Sequence, residues 1–311
     1  MDILGQIMLP AGRSAIELSL FVLLPVMVVM LSVMRLLEAW GALDWAVSRI
    51  TPALRPFGLT GLGVFAALQI NLVNFAAPVA TLAIMEHRGT SDRHIAAAFA
   101  MVLAMAQANA VFPMATMGLR AGPVLVFSVV GGLAAAAATY HLFARHLSAE
   151  EHLADDTLHH PAAESGKGVL DVLNRAGAEA FRIAIGAIPM LVLSLVAVTA
   201  LRQGGAVAAL TQVLLPALSM AGIDPALVLP ALTKYLAGGT AMMGVVDEQI
   251  RQHQLAPDLL NRAAGFLIHP LDLPGIAVLM AAGRRVAAVW KPAAAGALVG
   301  IALRTVAHLW L

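Results

Sequence analysis

Two opposite charges stand deep in apolar sequence: Lys234 within Ala226–Val246, and Asp272 within Leu259–Gly283. An ionisable group at membrane depth is costly enough to mark a functional site. Groups able to hold a small polar solute surround both. Thr233-Lys234-Tyr235 runs on to Gly238-Gly239-Thr240, and His269-Pro270-Leu271-Asp272-Leu273-Pro274 sets an imidazole beside the carboxylate. The first half offers amides instead. Gln69, Asn71 and Asn74 lead up to Pro78, and Gln107 and Asn109 precede Phe112-Pro113. Asn71 and Asn74, three apart, are expected to share a helix face, and Pro78 to free the Asn74 carbonyl from its helical bond. The chemistry implied is hydrogen bonding and ion pairing. A solute carboxylate or phosphate would displace Asp272 from Lys234, with His269 or Asp272 taking a proton as the coupling step.

Bond-breaking chemistry finds little support. No Gly-x-Ser-x-Gly or His-Glu-x-x-His run occurs, so the chain reads as a non-enzyme. The absence of cysteine removes thiolate nucleophiles and Cys-ligated zinc. No metal site and no cofactor are expected, and the histidines of the polar stretch 146–168 read as a solvated loop. Without a Gly-x-x-x-x-Gly-Lys-Ser/Thr run, transport would be passive or coupled to H⁺ or Na⁺.

Elements that must position these groups follow from composition. Hydrophobic residues make up 60% of 311 positions, and charged residues only 12%, against about 25% in soluble domains. Mean hydropathy is +0.85. The bilayer is therefore the first partner. A net charge of +1 and the lack of a basic patch argue against nucleic acid. The amino terminus carries Asp2 and no basic region, so no cleaved signal is expected. Runs of about 20 apolar residues cross a bilayer; Ile16–Leu37, Pro123–Phe143, Ile183–Leu201 and Ala293–Leu311 qualify.

The pattern occurs twice. Pro52-Ala53-Leu54 returns as Pro216-Ala217-Leu218, each within an amphipathic stretch (Trp45–Pro56, Ala208–Met220) that precedes an apolar run (Leu62–Met85, Ala226–Val246). Short arm, turn and long arm read as a re-entrant or interfacial hairpin. His94–Leu119 and Leu259–Gly283 follow, interrupted at Asn109–Pro113 and His269–Pro274. Matching interruptions in two halves point to a solute site at the midplane between repeats. The expected fold is all-α and polytopic: two inverted repeats, each with about three transmembrane helices, the hairpin and the interrupted helix. Residues 1–145 form the first repeat, 146–177 a cytoplasmic linker, and 178–311 the second. Twelve Lys/Arg residues then fall inside and six, Arg304 among them, outside, as the positive-inside rule requires. Ala/Gly-rich spans would admit a homodimer.

Phe65–Met85, with Asn71, Asn74 and Pro78, resembles the Asn-rich segment of spore maturation protein A. Leu229–Val246, with Ala-Gly-Gly-Thr-Ala-Met-Met-Gly, resembles the Gly/Ser-rich segment of spore maturation protein B. The chain is thus similar to a fusion of the two, in the group with the nucleoside-recognition or gate domain, which also occurs in concentrative nucleoside transporters. Departures are Lys234, where arginine is expected, and Ile268-His269-Pro270-Leu271-Asp272, where the family carries a Gly-Ser-Thr-Glu-Thr-like run. The resemblance implies a multi-pass protein of a bacterial-type inner membrane. Its expected function is a transporter or permease for a small polar or anionic solute, nucleoside-like by the resemblance. The alternative is a non-transporting scaffold for envelope or spore-type assembly.

Overall fold

Backbone amides and carbonyls that meet lipid must bond within their own segment, which leaves helices as the economical choice for so apolar a chain. The computed structural model describes residues 2–150 and 168–311, and no strand occurs among the described residues. Helices α1 (Asp2–Glu17) and α2 (Leu24–Ala39) join through a π-helical segment, Leu18–Leu23. Then come α3 (Ala42–Leu54), α4 (Gly61–Leu72), α5 (Pro78–His87), α6 (Asp92–Ala104), α7 (Ala108–Ala115) and α8 (Ala121–Ala138). The second half repeats the order with α9 (Val169–Gln203), α10 (Ala206–Ala221), α11 (Val228–Ala237), α12 (Gly239–Arg251), α13 (Pro257–Leu267) and α14 (Leu273–Met280). It closes with the short α15 (Arg284–Ala288) and with α16 (Trp290–His308).

Four segments are long and apolar enough to cross a membrane: Ile7–Ala39, Asp92–Ala115, Ala121–Phe143 and Val169–Gln203. The chain is a multi-pass membrane protein. Asp92–Ala115, which is α6 with α7, has 94% of its apolar window buried inside the protein, whereas the other three bury 22–33%. The broken span is therefore the centre, and the unbroken ones leave most of their surface outside the protein interior. Helix α16, at 19 residues, is also long enough but less apolar, because it carries Arg304 and His308 on its buried side.

Both hairpins double back. Thr81 Oγ1 donates to Gln69 Oε1 at 2.7 Å; twelve residues of straight helix would separate them by about 18 Å. The chain must therefore double back between α4 and α5. Gln249 Nε2 likewise donates to the Ala226 carbonyl at 3.2 Å, so the end of α12 returns to the start of α11. Arms of 10–13 residues reach about 15–20 Å, well short of a bilayer core of about 30 Å.

This corrects three expectations. The hairpin does not pair the amphipathic stretch with the apolar run; α3 turns into α4 through 106°, and the apolar run itself folds in two. Asn71 and Asn74 do not share a helix face, because α4 ends at Leu72. The first broken span is interrupted at Met105–Gln107, ahead of Asn109–Pro113, which lie inside α7. Pro113 is accommodated there because its missing N–H leaves only the Asn109 carbonyl without a helical donor. Of the polar stretch 146–177, residues 151–167 lie outside the described residues, and α9 already begins at Val169.

Contacts between the halves are direct. The α1–α2 rod lies along α9, with Arg35 bonded to Glu179 at 2.9 Å and the Ser19 hydroxyl to the Ala184 carbonyl. Asn261 donates to the Gly118 carbonyl at 2.9 Å and accepts from the Arg120 amide at 2.7 Å. Helix α16 is wedged among α6, α8 and α13. Close approach there needs glycine: a Cβ on Gly300 would strike the Gly131 carbonyl, and one on Gly265 would come within 2.7 Å of Arg304 backbone.

Candidate functional site

Four chain breaks meet in the interior, and each leaves helix ends whose backbone groups lack partners within the helix. In the first hairpin the polar residues close the break themselves. Asn74 Oδ1 accepts from the amides of Ala76 and Ala77 at 2.8 and 2.9 Å, closing the turn ahead of α5. Gln69 holds the two arms together through Thr81. Asn71 Oδ1 accepts from the Ser128 hydroxyl at 3.0 Å, and that hydroxyl accepts from the Ala106 amide at 2.7 Å. The hairpin is thereby tied through α8 to the break of the first broken span. Gln69, Asn71 and Asn74 all have protein partners.

In the second hairpin, α11 ends at Gly238, whose φ of +90° lies where only glycine is relaxed. Helix α12 starts at Gly239 with no side-chain cap, and Thr240 is half-buried in its first turn. Gln107 lies hard against this tip, so that a Cβ on Gly239 would collide with Gln107 Nε2. Gln107 is itself the residue preceding α7, another uncapped helix start. Two uncapped N-termini, the positive ends of their helix dipoles, therefore face one small region. On the other side of the tip, the Cβ position of Gly238 is 3.6 Å from Pro274 and 4.0 Å from Asp272 Oδ1.

Asp272 precedes α14 and caps it: Oδ1 accepts from the Gly275 amide at 2.7 Å. Its other oxygen forms the ion pair with Lys234 Nζ. The two side chains are 3% and 0% exposed, so the pair is sealed within the protein. The sequence expectation that these lone charges meet holds in the structure. His269 is fully buried; its Nδ1 accepts from the Leu271 amide at 3.1 Å, which puts the proton of the neutral ring on Nε2. That Nε2 has no partner among the described residues, and neither does the buried Oδ1 of Asn109.

Arg304 was the residue the sequence misplaced. Counted there among the outside charges, it is instead 1% exposed on α16, with Nη1 donating to the Ala104 carbonyl and Nη2 to the Ile268 carbonyl at 3.1 Å. Ala104 ends α6, and Ile268 follows the last residue of α13. One guanidinium thus joins the corresponding ends of both broken spans. A signal existed: Arg304 stands well inside Ala293–Leu311, one helical turn after Gly300.

Residues 20–123 match the family model described as Gate, nucleoside recognition. That interval holds α3, the first hairpin and the first broken span. No curated protein matches the sequence. Among solved structures, CNTnw in an inward-facing substrate-bound state is 18% identical, with 99% of this chain and 85% of that one aligned and a TM-score of 0.68. A doubly substituted CNTnw in an outward-facing state aligns over 99% and 86% at 18% identity, also with a TM-score of 0.68. An intermediate state of a single-substitution variant gives 19%, 99% and 86%, and 0.66. Equal likeness to opposite states identifies a fold and not a step in a cycle. The chain carries a nucleoside-recognition Gate match over residues 20–123 and has the fold of the concentrative nucleoside transporter CNTnw.

Proposed function

We propose that this protein transports a nucleoside-like solute across a bacterial-type inner membrane. The solute is bound where the Gly238-Gly239 tip meets Gln107 on one side and the Lys234–Asp272 pair on the other. The supporting observation is that convergence: three of the four chain breaks contribute to one buried region. The open groups suit a nucleoside. Asn109 offers an unused acceptor and His269 an unused donor, and the starts of α7 and α12 add backbone N–H groups. Hydroxyls and the edge of a base carry complementary donors and acceptors. The Gate match and the nucleoside-transporter fold support the same class of solute.

Charge narrows the class further. Lys234 and Arg304 oppose Asp272 among the fully buried ionic groups described, so the interior is one positive charge in excess. A solute with an electron-rich carbonyl edge or an anionic group fits better than a cationic one. The repeats are read as inverted, since three crossings and a re-entrant hairpin per half reverse the second half. The coupling ion is H⁺ or Na⁺, with Asp272 or His269 as the proton acceptor in the first case.

The test is uptake of labelled nucleosides by liposomes containing the purified protein, with thermal unfolding in detergent as a binding assay. Saturable uptake with a matching rise in the unfolding midpoint is expected. Failure of a broad nucleoside and nucleotide panel in both assays would sink the reading.

A further inference from the structure

We infer that Arg304 is a tethered cation, occupying a monovalent-cation site formed by the C-terminal ends of the two broken spans. The carbonyl end of a helix carries partial negative charge and orphan acceptors. In transporters with broken helices, such ends and the unwound carbonyls beside them coordinate coupling cations. Here the Ala104 and Ile268 carbonyls, from opposite repeats, converge on one guanidinium instead. They are not held by solvent, because Arg304 is buried to 1% exposure.

The surroundings are shaped for the side chain. A Cβ on Gly131 would overlap Arg304 Cγ, so α8 leaves a channel along which the aliphatic stem runs. Gly265 lets the backbone of α16 press against α13 at Arg304 itself. His308 Nδ1, one turn on, donates to the Arg304 carbonyl at 2.7 Å, which steadies the end of α16. Nε has no partner among the described residues, so the two bonded nitrogens, and not the whole group, match the site. A planar cation meeting two carbonyls is the feature that the geometry selects.

Two consequences follow. The cation is covalently attached, so the relative position of α6 and α13 is set without a diffusible ion at this point. Removing the side chain leaves two converging carbonyls and a cavity along the Gly131 channel, an exchangeable site for guanidinium.

Thermal unfolding of the full-length protein in detergent tests this without any solute, so its failure is separable from failure of the transport reading. Arg304→Lys, which keeps the charge but not the planar fork, should unfold between the parent protein and Arg304→Gln. Arg304→Gln, which keeps a donor but no charge, should unfold several degrees lower. Arg304→Ala should unfold lower still and regain part of the loss, saturably, in low-millimolar guanidinium chloride. Urea at the same concentration should restore nothing, and guanidinium should leave the parent protein unmoved. Should Arg304→Ala not fold, the Lys and Gln variants decide. Equal stability of Arg304→Gln and the parent, or equal action of urea and guanidinium on Arg304→Ala, overturns the proposal.

Discussion

Gln107 packs against Gly239, bringing the break of the first broken span onto the tip of the second hairpin. Neither residue has room to spare, so the contact couples the halves at the point where a solute is proposed to sit. Gly239→Ala forces a methyl group into the Gln107 amide, an overpacking cost of about 1–3 kcal/mol. Gln107→Ala should remove the clash. The double variant is therefore expected to unfold nearer the parent than Gly239→Ala alone, yet to stay inactive in uptake. Strictly additive losses would show that the two do not touch.

Lys234 and Asp272 form a sealed ion pair and should behave as one unit. Lys234→Met and Asp272→Asn each leave a partner uncompensated or unsatisfied, and removing one member of a buried pair costs about 3–5 kcal/mol. Combining them should restore much of the stability without restoring uptake. Denaturation of all four proteins supplies the cycle, and a coupling energy near zero refutes the pairing.

Inversion of the repeats predicts a labelling pattern. The chain contains no cysteine, so single cysteines report cleanly. His87 ends the first hairpin and Gln254 follows the second, and both are exposed. His87→Cys and Gln254→Cys should react with an impermeant maleimide from opposite faces of intact cells or oriented vesicles. Labelling from the same face would make the halves parallel.

The first hairpin should depend on two side chains that are not expected to touch solute. Asn74→Ala removes the bonds that close the turn ahead of α5 and Thr81→Ala the bond between the arms, each worth about 1 kcal/mol. Hydrogen exchange at Ala76 and Ala77 should quicken in Asn74→Ala, where their acceptor is lost. Unchanged protection there would assign those amides to another partner.

Much of the architecture is local and so could be read from the chain. Apolar runs, prolines and paired glycines mark where helices lie and where they fail, because each acts through neighbours three or four residues away. Lys234 and Asp272 could be paired from sequence for a similar reason: few opposite charges lie inside apolar runs, and an unpaired one would be prohibitively costly there. What the fold alone decided was contact between distant segments. The apolar run of each hairpin looked like a single arm, since nothing local distinguishes a helix that bends from one that returns on itself. The Gln69–Thr81 and Gln249–Ala226 bonds make that distinction. Arg304 looked like a charge at the edge of a span. Its partners Ala104 and Ile268 lie 200 and 36 residues away, and both are backbone carbonyls, which no side-chain pattern reveals. Only the wedging of α16 among α6, α8 and α13 places that guanidinium where two helix ends need a positive charge.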